Sequence, residues 1–374
     1  MKSSITLVRI LGINVGVHYT WLFALLLVSW SLSVGFFPQN YPGWERPTYW
    51  IIGFISSLLL FFSVLVHELA HSFVAIAKGL PVHGITLFIF GGVSNLGAET
   101  ESPRDEFAIA VVGPLTSLLL SGLFLGLLQI TSDAEGPLAA ILSYLALINL
   151  LLGIFNLLPG YPLDGGRVLR SIVWGITKSM ERATNIAAGA GQAFGWGLII
   201  VGVFMVLGDN VFGGIWIALI GWFLMSAASS SRQEIANQKL LEGVLVSRVM
   251  QPDPETVTTQ TTVEEAFLEY FLQRGLRALP VCESDRLVGI ATLTDLKKVA
   301  QESWGQYQIK DIMTAAPLYS VEPDHDLSEA LRVLAEHGLN QVLVLQGARL
   351  VGLLSRADII RYLQLRQELG VRDK

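Results

Sequence analysis

From Trp50 to Val66 the chain carries no charged residue, and this apolar run continues without a break into His67-Glu68-Leu69-Ala70-His71. An apolar stretch of about 20 residues is long enough to cross a bilayer as a helix. Ionisable groups at membrane depth are costly, and they persist where they face protein and do chemistry. Residues four apart share one helix face, so His67 and His71 can reach a single metal ion with Glu68 beside it. H-E-x-x-H on a helix is the pattern in which two imidazoles bind zinc and the glutamate serves as general base.

The rest of the chain fits a membrane protein with a soluble tail. Its 374 residues are 52% hydrophobic and only 15% charged, and nine of the 25 Lys and Arg precede residue 231. The net charge of −6 argues against nucleic acid as a main partner. The single cysteine, Cys282, excludes an internal disulfide and a cysteine-based zinc site. Six spans are expected, at about 15–37, 49–78, 107–130, 137–158, 190–208 and 211–229. The first is too long for a secretory signal and reads as a retained span. Basic residues cluster on one side of these spans (Lys2, Arg9, Lys78, Arg104, Arg167, Arg170, Lys178 and Arg182), against Arg46 alone on the other. The positive-inside bias then places both termini in the cytoplasm.

Two connecting segments stand out. After Gly79 and Pro81, a β-branched and aromatic run suits a small β hairpin turning at Gly91-Gly92 and dipping toward the membrane. Between Pro159 and Gly166, two prolines and three glycines break the fourth span, and Asp164 sits in that break. A carboxylate there either pairs with Arg167 or Arg170 or completes the zinc site. With His67 and His71 it would give three protein ligands and an open fourth position, the coordination of a catalytic rather than a structural zinc.

Beyond residue 230 the chain repeats itself. Met250 and Met313, Gly275 and Gly338, Gly289 and Gly352, and Asp295 and Asp358 are all 63 residues apart, and RLVGIATLTD matches RLVGLLSRAD. Each copy reads strand, helix, strand, strand, helix, with a common core between the halves. The expected organisation is a membrane domain over 1–230, a linker over 231–246 and an α/β tandem over 247–374, with copies at about 247–303 and 310–366.

HELAH, the GGV at Gly91 to Val93, the Gly113-Pro114 pair, and the N-x-x-P…L-D-G pattern on Asn156, Pro159 and Leu163 to Gly165 resemble the site-2 protease family of intramembrane zinc metalloproteases. The resemblance implies His67, His71 and Asp164 as ligands of one zinc ion per chain, Glu68 as catalytic base and Asn156 near the substrate. Many members carry a PDZ domain, whereas the repeated tail here resembles a pair of cystathionine-β-synthase (CBS) domains. The CBS resemblance implies ATP or another adenine nucleotide between the copies, with Asp295 and Asp358 on ribose and Thr292 and Ser355 on phosphate.

These readings lead to an α-helical polytopic membrane domain whose zinc centre hydrolyses a peptide bond within or near a transmembrane segment of another protein. Helical substrate must unwind first, and the hairpin, with Gly91 and Gly92, is expected to pair with the extended segment. The setting is a prokaryotic inner membrane, with a homodimer through the CBS pair. The alternatives are a CBS-regulated transporter or channel with a structural zinc site, and a zinc scaffold without turnover.

Overall fold

The computed structural model describes residues 4–89, 91–96, 100–131, 135–284 and 286–369. The chain divides into two compact units, Met1–Ile235 and Ala236–Lys374.

The first unit opens with strands β1 (Ser4–Ile10) and β2 (Ile13–His18), followed by α1 (Tyr19–Asn40) and α2 (Arg46–Ala77). Strands β3 (Val82–Phe88) and β4 (Gly91–Leu96) come next. Helices α3 (Pro103–Gln129), α4 (Pro137–Asn156), α5 (Asp164–Thr177) and α6 (Met180–Leu207) follow, and α7 (Val211–Leu241) begins in this unit and ends in the second. Among the described residues, six helices are long and apolar enough to cross a membrane: α1, α2, α3, α4, α6 and α7 as far as Gln233. Proline stands in the first turn of α2, α3 and α4, where its missing N–H costs nothing.

The first span starts later than expected because hydropathy does not tell a buried strand from a helix. The first span starts at Tyr19, and Val15 lies in β2. The hairpin is half of a four-stranded sheet ordered β1-β2-β3-β4, with β2 and β3 parallel. Ile13 of β2, Ile85 and Leu87 of β3 and Val64 of α2 form one buried cluster, which seats the sheet on α2. Gly91 and Gly92 do not form the turn. They open β4, opposite Phe88 and Leu87. Phe90, at the tip, lies outside the described residues.

Further along, α6 begins ten residues before the expected fifth span, at Met180. Helices α6 and α7 pack through glycine. A β-carbon at Gly195 would lie 2.7 Å from the Gly221 carbonyl oxygen, and one at Gly202 would lie 2.5 Å from that of Gly214. Such small-residue seams let membrane helices approach closely. The expected linker is partly structured: α7 stays helical through Leu241, and Leu241, Val244 and Val246 are buried in a core of the second unit.

In the second unit the two copies exchange their leading segments. One sheet is ordered β5-β11-β10-β9 and the other β6-β7-β8. Here β5 is Gln251–Pro252, β6 Ala278–Glu283, β7 Arg286–Thr292, β8 Thr314–Ala315, β9 Ser320–Val321, β10 Gln341–Gln346 and β11 Arg349–Ser355. The opening strand of each copy thus completes the sheet of the other, and there are two cores rather than one shared core. This explains two of the repeated landmarks. A β-carbon at Gly289 would meet the sulfur of Met313 at 2.6 Å, and one at Gly352 would strike that of Met250.

Candidate active site

Three elements converge on one point. Helix α2 presents His67 and His71, both buried, on the same face. Asp164 is the first residue of α5 rather than part of the break itself. Its position follows from the glycines behind it. A side chain at Gly165 would strike the Leu157 carbonyl, and one at Gly166 would come within 2.6 Å of the Gly160 carbonyl oxygen. Only a backbone bare at these two positions can lie against 157–160 and bring Asp164 to α2.

Asp164 Oδ2 lies 3.1 Å from His67 Nε2 and 3.2 Å from His71 Nε2, and the two Nε2 atoms are 3.2 Å apart. Arg167 and Arg170, considered as partners for Asp164, are instead drawn to Glu106 of α3, so the aspartate is left to the histidines. Helix α3 also orients both imidazoles. His71 Nδ1 donates to the Ile109 carbonyl at 2.6 Å, and His67 Nδ1 is 2.9 Å from Ser117 Oγ. With Nδ1 committed outward, each Nε2 lone pair is turned toward the carboxylate.

This donor set fits zinc. Tetrahedral zinc with bonds of about 2.0–2.1 Å separates its ligand atoms by about 3.3–3.4 Å, close to the triangle here. The space beside the triangle is kept open by Gly113 of α3, where a β-carbon would strike His71 Nε2 and lie 2.7 Å from His67 Nε2.

Glu68 is half-buried beside this cluster, and its Oε2 accepts a hydrogen bond from Ser94 Oγ of β4 at 2.9 Å. Ser94 in turn lies 3.2 Å from Ser72 Oγ, which donates to the Glu68 carbonyl. A cavity of about 600 Å³ is lined by His67, Glu68, His71 and Asp164 together with apolar side chains including Phe61, Phe155 and Trp216.

The sequence profile of Peptidase family M50 matches residues 55–134 and 129–198, and that of the CBS domain matches 246–302 and 309–365. The chain is 38% identical over 373 residues to a Mycobacterium tuberculosis protein named as the zinc metalloprotease Rip3, covering 98% of this chain and 94% of that one. It is 31% identical over 377 residues to the zinc metalloprotease MJ0392 of Methanocaldococcus jannaschii, covering 99% of each. The chain belongs to peptidase family M50. Among solved structures, it is similar to a site-2 protease from M. jannaschii at 30% identity and TM-score 0.43, covering 61% of this chain and 95% of that one.

An M50 chain with CBS domains is a zinc metalloprotease of the site-2 type, and the transporter and inert-scaffold alternatives fall away. The remaining sequence candidates of this M50 chain fall at three places. Asn156 ends α4 and lines the cavity, its Nδ2 donating to Leu152 O at 3.0 Å. Gly91 has φ of +130°, which disfavours any other residue. Gly92 faces Glu68, and a β-carbon there would lie 3.0 Å from Glu68 Cδ and closer still to Cγ. Gly92→Val should therefore displace the Glu68 carboxylate and slow cleavage by about 100-fold, since catalytic groups tolerate little misplacement. Zinc content measured on the same sample should be unchanged, and wild-type turnover would show that β4 does not set the position of Glu68.

In the CBS unit, Asp295 Oδ2 accepts from Thr292 N at 2.8 Å and Thr292 Oγ1 at 2.6 Å, and Asp358 Oδ2 accepts from Ser355 N at 3.0 Å and from its hydroxyl. Burial alone would raise the Asp295 pKa, but hydrogen bonds from Lys298 and Thr292 outweigh it and hold the carboxyl below its ordinary value. The paired hydroxyl and carboxylate of each copy thus bond to each other.

Sequence reasoning missed Glu106, because an acidic residue in the first turn of a helix ordinarily favours the dipole and faces water. Here it is fully buried, and its Oε1 accepts from Nε and Nη2 of Arg170, which also lies 5.4 Å from the Tyr161 ring centroid. This pair pins α5, and with it Asp164, to α3. Arg170→Met would strand the Glu106 charge and should cost about 3–5 kcal/mol in denaturant melts of the solubilised protein. Adding Glu106→Leu should recover much of the loss. No recovery in the double variant would mean that Arg170 acts through packing rather than charge.

Proposed function

We propose that the chain is an endopeptidase that cuts a transmembrane protein substrate within or near its membrane-spanning segment, using His67, His71 and Asp164 to hold one zinc ion. The observation that carries this reading is the triangle of Nε2, Nε2 and Oδ2 atoms, 3.1–3.2 Å on each edge, opening into a largely apolar cavity beside Glu68. Bound zinc supplies Lewis acidity, polarising a carbonyl and acidifying water. Glu68 takes the proton of the attacking water on its carboxylate and passes it to the leaving amine nitrogen. Ser94 fixes that carboxylate through Oε2.

The substrate must be extended where it is cut, because a helical peptide bond is shielded by its own ladder. Among the described residues β4 is the last strand of the sheet, paired on one side by β3, and its outer edge offers an extended peptide backbone hydrogen bonds next to Glu68. Asn156 meets the substrate from the end of α4. Both termini are cytoplasmic, by the positive-inside bias, in a prokaryotic inner membrane. The CBS pair takes ATP or another adenine nucleotide at Thr292, Asp295, Ser355 and Asp358, regulates cleavage and carries a homodimer.

The test uses the full chain in vesicles with a single-span substrate, assayed as isolated, after chelation and after zinc is restored. Cleavage should vanish on chelation, return with zinc, and map by mass spectrometry to the apolar segment. Cuts confined to the soluble flanks, or activity that survives chelation, would overturn the reading.

A further inference from the structure

Arg167 lines the same cavity as Glu68 and Asp164, one helical turn after Asp164 on α5. Its neighbour Arg170 is committed to structure: buried, it gives two hydrogen bonds to Glu106 Oε1. Arg167 is differently placed. Its Nε stands 3.8 Å from that same oxygen, beyond hydrogen-bonding range, and its side chain is 22% exposed while that of Glu106 is fully buried. The pair with Glu106 therefore steadies the Arg167 stem but leaves the donors of its guanidinium for something else.

Peptide hydrolysis changes what this cavity must hold. The substrate bond is neutral, whereas the fragment released on the acyl side ends in a carboxylate. The protein groups beside it, Glu68 and Asp164, are themselves acidic. A guanidinium presents a planar fork of donors matched to a carboxylate, and it remains charged at any working pH.

Building on the protease reading above, we propose that Arg167 forms a carboxylate subsite that receives the new C-terminus of the acyl-side product. Arg167 is a product-binding residue, distinct from the zinc ligands and from the base. Its occupancy governs how long the cleaved fragment stays.

The experiment uses the full-length, zinc-loaded protein in detergent and two probes: a short apolar peptide with a free C-terminal carboxylate and the same peptide as its amide. Affinity is read from tryptophan fluorescence, since Trp216 lines the cavity, and zinc content is measured on each sample. In Arg167→Gln the acid should bind about tenfold more weakly, the size expected for one charge-assisted contact, while the amide is unchanged. Arg170 still partners Glu106 in that variant. Should it not be recoverable, Arg167→Lys keeps the charge beside Glu106 and is read the same way, the acid weakening and the amide holding. Equal changes for both peptides, or no change for either, would overturn the subsite. That failure is separable from failure of the protease reading, because the wild-type protein would still cut its substrate in a zinc-dependent way.

Discussion

Gly113→Ala is expected to strip the protein of zinc and abolish cleavage, although Gly113 is neither a ligand nor a catalytic group. A methyl group at this position would lie 2.7 Å from His67 Nε2 and closer to His71 Nε2, a separation no carbon can hold. Neither imidazole can retreat. His71 is tied through Nδ1 to Ile109 O and His67 to Ser117 Oγ, and both partners belong to α3, the helix that carries Gly113. The helix that aims the histidines therefore also fills or frees the space between them. Changing a group that orients a metal ligand costs about 10–100-fold in metal affinity, and a carbon among the donors should cost at least that much. Metal analysis of the purified variant checks this directly, and full zinc occupancy in Gly113→Ala would sink the assignment of that space to the ion.

The sequence was most legible where one helix carries the whole signal. His67, Glu68 and His71 share a face by spacing alone, and an uncharged run leading into them leaves few other uses for the cluster. Asp164 was legible for a different reason: a carboxylate between glycines at a broken span demands a partner. The residues favoured the histidines, since two imidazoles alone leave a zinc site short of a third protein ligand, but they did not exclude arginine. The choice between histidine and arginine depends on Glu106, 58 residues earlier in the chain, whose burial has no local signature. The N-terminal strands were hidden because Ile13 and Val15 are as apolar as any span, and the parallel pairing of β2 with β3 closes only after two helices have intervened. In the tail, the 63-residue repeat revealed the duplication. It did not reveal that Met250 packs at Gly352 and Met313 at Gly289, because a one-dimensional repeat does not say which copy completes which sheet.

Glu68→Gln should keep zinc and lose about 10²–10⁴-fold in turnover, the range general acid–base catalysis supplies. The amide matches the carboxylate in shape, and its oxygen can still accept from Ser94 Oγ, so β4 should keep its seat. Zinc should stay because Glu68 stands outside the Nε2 and Oδ2 triangle, and the bonds that aim the two imidazoles come from α3. What the amide cannot do is accept a proton, an interaction made only on the way to the transition state. The loss should therefore fall on kcat, with KM little changed. Ser94→Ala probes the same carboxylate more gently, removing one orienting bond and costing about tenfold. Gly113→Ala and Glu68→Gln take the centre apart from opposite sides, the first removing the ion and leaving the base, the second removing the base and leaving the ion. If Glu68→Gln lost zinc as well, the glutamate would be part of the metal cradle, and the proton would need another carrier.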